Sequence, residues 1–403
     1  MTDMLDFNDL ITHPLTSEEL HFFNQHEHAI VGDLILKKTW TPRQKLILIQ
    51  IGLRQQIQSK LPTFYANKNC LYASKINVEQ CSSEKTATFK ASLVRGHTFV
   101  DLTAGMGVDS LALSAHFENG ILIEQHVALA NATAYNLNKQ FQKTQLQILG
   151  GVKAEAYLID MNEQVDLIYL DPARRDANGG KVFQLSDCEP NVIRLLDILL
   201  QKSKNILIKT SPLLDIELAC KQLKYHVRDV YAIASDHECK ELLFLIDHNQ
   251  HENYMVHAVN LDDHNEFEAT KHQINSAEIQ YSLPLQYLYE PDVSLMKTSL
   301  HNLLSQKYTV FKLNPNTNLF TSEQYIDKFP GRKFKIEFKC KPNLKEIKNH
   351  IPALKANLTI RNFPSTVNEL RKKLNLKDGG EHYLFATTLL HNEKTMLGCS
   401  KVI

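Results

Sequence analysis

From residue 98 to about residue 249, short apolar runs alternate with stretches of helical period, the pattern of a mostly parallel sheet with helical crossovers. Thr98, Phe99 and Val100 begin it with the β-branched and aromatic character of a buried strand. A turn through Thr103-Ala104-Gly105-Met106-Gly107 leads into a helix whose Val108, Leu111, Ala112 and Ala115 share one face. Gly120 to Glu124 predicts a second strand, with a helix over 126–140. Leu146 to Gly150 is taken as the third, because the alternative at Ala156 to Asp160 leaves too little chain before the next strand; 153–160 is then a short helix. The fourth strand runs from Val165 into Asp171-Pro172, followed by a helix over 185–203, a strand over 205–210 and a helix over 213–223. Two last runs, V-R-D-V-Y-A-I-A and E-L-L-F-L-I, are joined by so short a link that only an antiparallel hairpin fits.

Residues 1–95 read as helical. Thr16-Ser17-Glu18-Glu19 forms a capping box, and Thr41-Pro42 starts a helix expected to run to Pro62. Lys68 to Gln80 looks irregular, and Ser82-Ser83-Glu84 opens a further helix that Gly96 ends. Past residue 250 the charge changes sign: 251–300 carries eight acids against two lysines, whereas 331–377 carries thirteen Lys or Arg against three Glu. Such asymmetry suggests separate small α+β domains, 250–330 and 331–403, after a sheet domain over 96–249. In the basic part, KFKIEFKCK alternates, placing Phe334, Ile336, Phe338 and Cys340 on one face and Lys333, Lys335, Lys339 and Lys341 on the other. Such a lysine row either protects an exposed sheet edge from aggregation or follows a phosphate backbone.

Composition narrows the class without choosing a function. At 403 residues the chain exceeds one core, and 43% hydrophobic with 22% charged content is that of a folded soluble protein. No run approaches the roughly 18 apolar residues of a membrane span, and the acidic, proline-broken start is read as no signal peptide. Seven scattered cysteines without a C-x-x-C pair argue against zinc and disulfides and for a cytoplasmic location. The eighteen histidines show no metal-ligand spacing, so no metal is expected.

The chemistry gathers at strand tips. Gly105 and Gly107 let the backbone turn tightly and approach a ligand, and the following helix presents free N–H groups there. Glu124, at the tip of the second strand, either accepts ribose hydroxyls or caps the next helix, and the upstream glycines favour the ligand. Asp171 and Pro172 put a carboxylate and a stiffened turn at the carboxyl end of the sheet, where open α/β sheets bind ligands; the alternative is that Asp171 only caps the turn. The third glycine of a dinucleotide fingerprint is replaced by Ser110, which counts against NAD.

On D-L-T-A-G-M-G-V-D-S together with L-D-P-A-R-R-D, the chain resembles a class I S-adenosylmethionine-dependent methyltransferase. More narrowly, it is similar to bacterial methyltransferases with C-terminal ferredoxin-like and THUMP-like domains. The methyltransferase likeness spans about 79–247, and N-F-P-S-T-V-N-E-L-R-K-K-L-N-L-K-D-G-G-E-H-Y-L-F extends it towards the end. The resemblance implies a Rossmann-like α/β sheet with a helical N-terminal extension, S-adenosyl-L-methionine as cofactor, and RNA (tRNA or rRNA) as partner. It implies that Asp101, Thr103, Ala104, Gly105 and Gly107 line the methionine and sulfonium part, that Glu124 holds the ribose, and that Gln80 and Ser82 close the pocket. Asp171 would lie beside the transferring methyl, with Pro172 and Arg174 completing the catalytic turn and Arg174 and Arg175 facing the substrate. The likeness also tips the lysine strand towards RNA.

Two departures stand out. Gly150-Gly151 replaces the acid that many relatives place after the third strand, so adenine recognition is expected from backbone groups. Asp171-Pro172-Ala173-Arg174 replaces the Asp/Asn-Pro-Pro-aromatic of amino methyltransferases. Uracil-C5 methyltransferases share Asp-Pro-x-Arg but need a nucleophilic cysteine where this chain has Thr210-Ser211-Pro212. The leading expectation is an RNA methyltransferase. A protein or small-molecule methyltransferase, and a binding protein that has lost catalysis, are the alternatives.

Overall fold

Hydroxyl side chains start the N-terminal helices. In the computed structural model, which describes residues 8–36, 39–143, 145–174 and 184–402, Thr16 caps α1 (Ser17–His26) and Thr41 caps α2 (Pro42–Gln56), each with both halves of a capping box. The second helix stops at Gln56, short of Pro62. Lys75–Gln80, expected to be irregular, forms α3 under a Ser74 cap, and Ser83 caps α4 (Glu84–Ser92).

The sheet follows in the predicted sequence of elements. Its strands are β1 (Gly96–Asp101), β2 (Phe117–Glu124), β3 (Leu146–Gly150), β4 (Val165–Leu170), β5 (Ser203–Thr210), β6 (Val227–Ser235) and β7 (Glu238–Ile246). β3, β2, β1, β4 and β5 are parallel neighbours in that order, and β7 lies beyond β5. β6 and β7 are joined by Asp236 and His237, both at positive φ, the two-residue turn whose twist matches a hairpin. Helix α5 (Val108–Leu113) is shorter than the pattern suggests, and α6 (Val127–Ala134) continues as a π-helical turn, Tyr135–Gln140. The helix expected over 185–203 spans only Val192–Lys202; a short ladder pairs Ala173–Arg174 with Cys188–Glu189 before it.

By contacts the chain divides into two units, 1–228 with 243–251, and 229–242 with 252–403. The first unit has a core built jointly by the N-terminal helices and the sheet domain. Leu53, Phe64, Leu71 and Tyr72 pack in one cluster with Met106, Val108, Leu129 and Ala132. Asn136 ties them further, accepting from the Leu71 N–H at 2.9 Å and donating to its carbonyl at 2.8 Å.

In the second unit, β8 (Met255–Asn260) pairs in parallel with β6, and β9 (Asn265–Thr270) pairs antiparallel with β8. A seven-stranded sheet follows from β10 (Tyr287–Pro291), β11 (Phe311–Asn314), β12 (Thr317–Ser322), β13 (Gly331–Cys340), β14 (Asn357–Arg361), β15 (His382–Thr388) and β16 (Lys394–Lys401). Its order is β11-β12-β10-β13-β16-β15-β14.

The lysine strand, β13, corrects the sequence reading twice. It is no edge, being paired with β10 on one side and β16 on the other. Nor do its lysines share a face. The ladder with β16 slips between Ile336 and Phe338, leaving Glu337 as an extra residue. Ile336 then stands opposite Cys399, in the core with Leu288 and Phe385, whereas Cys340 stands opposite Met396, in the core with Ile347 and Leu384. Leu384 and Phe385 are consecutive in a strand, so these two cores lie on opposite sides of the sheet. The lysines split likewise: Lys335 faces Ser400 and Lys339 faces Leu397. Lys333 donates to the Asp327 carbonyl at 2.7 Å, Lys339 pairs with Glu393 at 2.7 Å, and Lys341 lies beyond the strand. A continuous row of ammonium groups is therefore not formed.

Candidate active site

Strand β1 ends in Asp101, and the chain beyond it is stitched to its neighbours on both sides. Towards β4, the Leu102 N–H donates to the Tyr169 carbonyl at 3.0 Å, and the Asp171 N–H donates to Thr103 Oγ1 at 2.6 Å. Towards β2, the Ala104 N–H donates to the Ile123 carbonyl at 3.0 Å, and the Gly105 N–H donates to Glu124 Oε2 at 3.0 Å. The other Glu124 oxygen accepts the His126 N–H at 2.8 Å, so this carboxylate ties the residue before the next helix to the glycine turn. Asp101, Thr103, Ala104, Gly105, Glu124 and Asp171 thus meet at three adjacent strand tips. Pro172 is buried beside them.

The two glycines differ in what they make possible. Gly107 has φ +73°, and a β-carbon there would sit 2.8 Å from both Leu137 Cδ1 and Thr133 Cγ2, so its absence lets α6 pack close. Gly105 has φ +53°, and its β-carbon would meet nothing nearer than the Thr103 carbonyl at 3.9 Å. That open side is a cradle that a side chain would fill. Thr133 Oγ1 donates to the Gly105 carbonyl at 2.7 Å, anchoring the turn from behind. After β3, Gly150 is required by packing, since its β-carbon would stand 2.7 Å from Ala130 Cβ, while the Gly151 N–H is already taken by the Glu124 carbonyl at 2.9 Å.

Burial shapes the charges. Asp101 is buried, which pushes its carboxyl up to about 7 despite hydrogen bonds from Ser110 and the Thr103 N–H; nearby Asp109 and Asp171 push the same way. The sign of its effect on stability follows. Between about pH 4 and pH 7 the unfolded chain has released a proton that folded Asp101 still holds, so this group's contribution falls as pH rises. Asp101→Asn cannot ionise. It should gain stability relative to the parent on going from about pH 5 to about pH 7.5, read as the change in urea midpoint at each pH. A constant offset between the two proteins would show that Asp101 is ionised throughout.

Sequence reasoning misses a buried network behind the turn. Lys90, 1% exposed on α4, pairs with Asp109 of α5 at 3.0 Å and donates to Ser82 Oγ at 3.0 Å. Asp109 Oδ2 accepts from Ser82 Oγ at 2.7 Å and from the Tyr169 hydroxyl at 2.8 Å. Burial alone would raise the Asp109 carboxyl, but Lys90, Lys209 and Ser82 outweigh it and hold it below the ordinary range. Ser82 therefore joins this network, and Gln80 is exposed at the end of α3. Lys209, on β5, forms an ion pair with Asp171. Arg175 and the Arg174 side chain lie outside the described residues.

Residues 287–330 match a family model described as a ferredoxin-like domain, and residues 331–401 match one described as THUMP domain-like. No curated protein matches the chain. Among solved structures, it is similar to a protein of Porphyromonas gingivalis W83 solved as a "putative methyltransferase", at 29% identity and TM-score 0.86, covering 99% of this chain and 100% of that one. The fold is that of a class I methyltransferase, with ferredoxin-like and THUMP-like domains at the C-terminus. TrmK of M. capricolum, solved with S-adenosyl-homocysteine, aligns at 12% identity and TM-score 0.32 over 41% of this chain and 68% of its own. RsmC of T. thermophilus, a 16S rRNA methyltransferase held with AdoMet and guanosine, aligns at 15% and 0.30 over 42% and 44%. At those scores neither bears on the function of the class I fold described here. No helix among the described residues is long and apolar enough to cross a membrane.

Proposed function

We propose that this protein is an S-adenosylmethionine-dependent methyltransferase acting on RNA. The observation that carries the reading is the convergence of the Gly105 turn, Glu124 and Asp171 on three neighbouring strand tips, with an open cradle at Gly105. Glu124 uses one backbone N–H on each oxygen, and each oxygen keeps a further lone pair for a ribose hydroxyl. Asp101 and Thr103 would flank the methionine end. The cofactor supplies an electrophilic methyl, and the protein's part is alignment of the attacking atom with it, the task set for Asp171 at the mouth of the turn. The likeness to the P. gingivalis protein supports methyl transfer, and the THUMP-like match supports RNA. The cytoplasm is the proposed compartment, in keeping with seven free cysteines.

Incubation with methyl-labelled cofactor and total cellular RNA tests the reading. Label in nuclease-sensitive product supports it, and label that survives nuclease moves the substrate to protein or small molecules. Asp171→Asn should lower turnover about tenfold to 100-fold, the range of a lost acid–base or orienting contact, while cofactor affinity changes by less than about threefold. Full turnover in that variant would make Asp171 a turn cap only. One observation favours a second reading, a cofactor-binding protein without catalysis: Lys209 already holds the Asp171 carboxylate. Absence of labelled product in the presence of tight cofactor binding would select it.

A further inference from the structure

Strands β6, β8 and β9 bring together side chains far apart in the sequence. His257 stands opposite Glu268 in the antiparallel ladder and opposite Tyr231 in the parallel one. Directly opposed residues share a face, as do residues two apart, so Asp229, Tyr231, His257, Glu266 and Glu268 all project from one side. His257 is 7% exposed and stacked on Tyr231, with ring centroids 4.2 Å apart and planes 13° from parallel. Its Nε2 faces Asp229 Oδ1 at 3.4 Å, and its Nδ1 faces Glu266 Oε1 at 2.9 Å and Glu268 Oε2 at 3.0 Å.

A neutral imidazole, with one N–H, cannot satisfy this arrangement by itself. If Asp229 takes the Nε2 proton, Nδ1 turns a lone pair on two carboxylates, and a cation has to lie between them. A proton at Nδ1 points well along the bond to Glu266, and Glu268 then faces the same ring nitrogen with no proton of its own.

We propose that His257 Nδ1, Glu266 and Glu268 bind a divalent transition-metal ion of the zinc class, with Asp229 orienting the imidazole from behind. One nitrogen and two carboxylate oxygens suit Zn²⁺ or Mn²⁺, and a carboxylate on the far ring nitrogen is the usual support for a histidine ligand. Zinc bonds of about 2.0–2.2 Å in tetrahedral geometry put ligand atoms about 3.4 Å apart. The glutamate oxygens need to move outward by only a few tenths of an ångström from their present 2.9 and 3.0 Å. Both glutamates are about half-exposed, at 48% and 57%, which leaves them free to adjust and gives an ion a path in from water. Ligands come from two strands and their support from a third, so the ion would pin the β8–β9 hairpin to β6. Linear spacing hides the set: the histidine and its glutamates are paired only by the hairpin.

The test uses the full-length protein, stripped with chelator and titrated with zinc chloride in a calorimeter. One equivalent is expected to bind in the micromolar range or tighter, and to raise the melting temperature. Glu266→Gln/Glu268→Gln, at exposed positions that keep side-chain volume, should remove that equivalent. Asp229→Asn should weaken it by about tenfold to 100-fold. The proposal is overturned if the double glutamine variant binds zinc as the parent does. It is equally overturned if the parent binds none, and His257 protonated at both nitrogens near neutral pH by NMR would then make the cluster an acid clamp on an imidazolium.

Discussion

Gly105→Val is expected to cut affinity for S-adenosylmethionine at least 1000-fold, about 4 kcal/mol, in a protein that still folds. Gly105 sits at φ +53° with its β-carbon position open but for the Thr103 carbonyl at 3.9 Å. A β-carbon in left-handed backbone costs roughly 1–2 kcal/mol, which a domain of this size tolerates. The valine methyls would then stand where the proposed ligand must approach the backbone. Gly107→Val is the contrasting control, because its β-carbon would press on Leu137 and Thr133 at 2.8 Å and damage packing instead. Calorimetry reads the affinity and circular dichroism the fold. A folded Gly105→Val protein with unchanged affinity would remove this turn from the cofactor site.

Lys90→Met is expected to destabilise the protein by about 3–5 kcal/mol, the cost of removing one partner of a buried ion pair. Lys90 is 1% exposed, and its ammonium neutralises Asp109 at 3.0 Å. With Lys90 gone, Asp109 keeps the Ser82 and Tyr169 hydroxyls and the attraction of Lys209 but loses the ammonium paired directly with it inside the protein. Adding Asp109→Asn to Lys90→Met should restore most of the loss, since both charges are then absent. Urea unfolding of the parent, the single variant and the double variant measures each step. A loss below about 1 kcal/mol for Lys90→Met would show that water reaches Asp109 and screens it.

What can be read from the sequence is what local pattern determines. Asp101, Gly105, Glu124 and Asp171 are each marked by position at or just past the end of an apolar run, and chain length alone places the third strand at Leu146–Gly150. The parts that escape depend on contacts across the fold. Lys90 follows Phe89 on a helix and has the look of a solvated surface lysine; only α5, two elements on, supplies the acid that pairs with it inside the protein. The bulge at Glu337 escapes for a different reason. The residues on either side keep perfect alternation, and the slip exists only relative to β16, about sixty residues later. His257 carries no signal in the sequence because its partners are set by strand register and not by spacing.

The core shared by the N-terminal helices and the sheet domain bears on how the chain is made. Leu53, Phe64, Leu71 and Tyr72 emerge from the ribosome before Met106, Val108, Leu129 and Ala132, the residues they pack against. At ~5–20 residues per second, the roughly 60 positions between Tyr72 and Ala132 take roughly 3–12 s to synthesise. Through that interval the nascent helices carry an uncovered apolar face. A slow codon run or a stalled ribosome within this window would prolong the exposure, whereas one placed well after residue 140 would not.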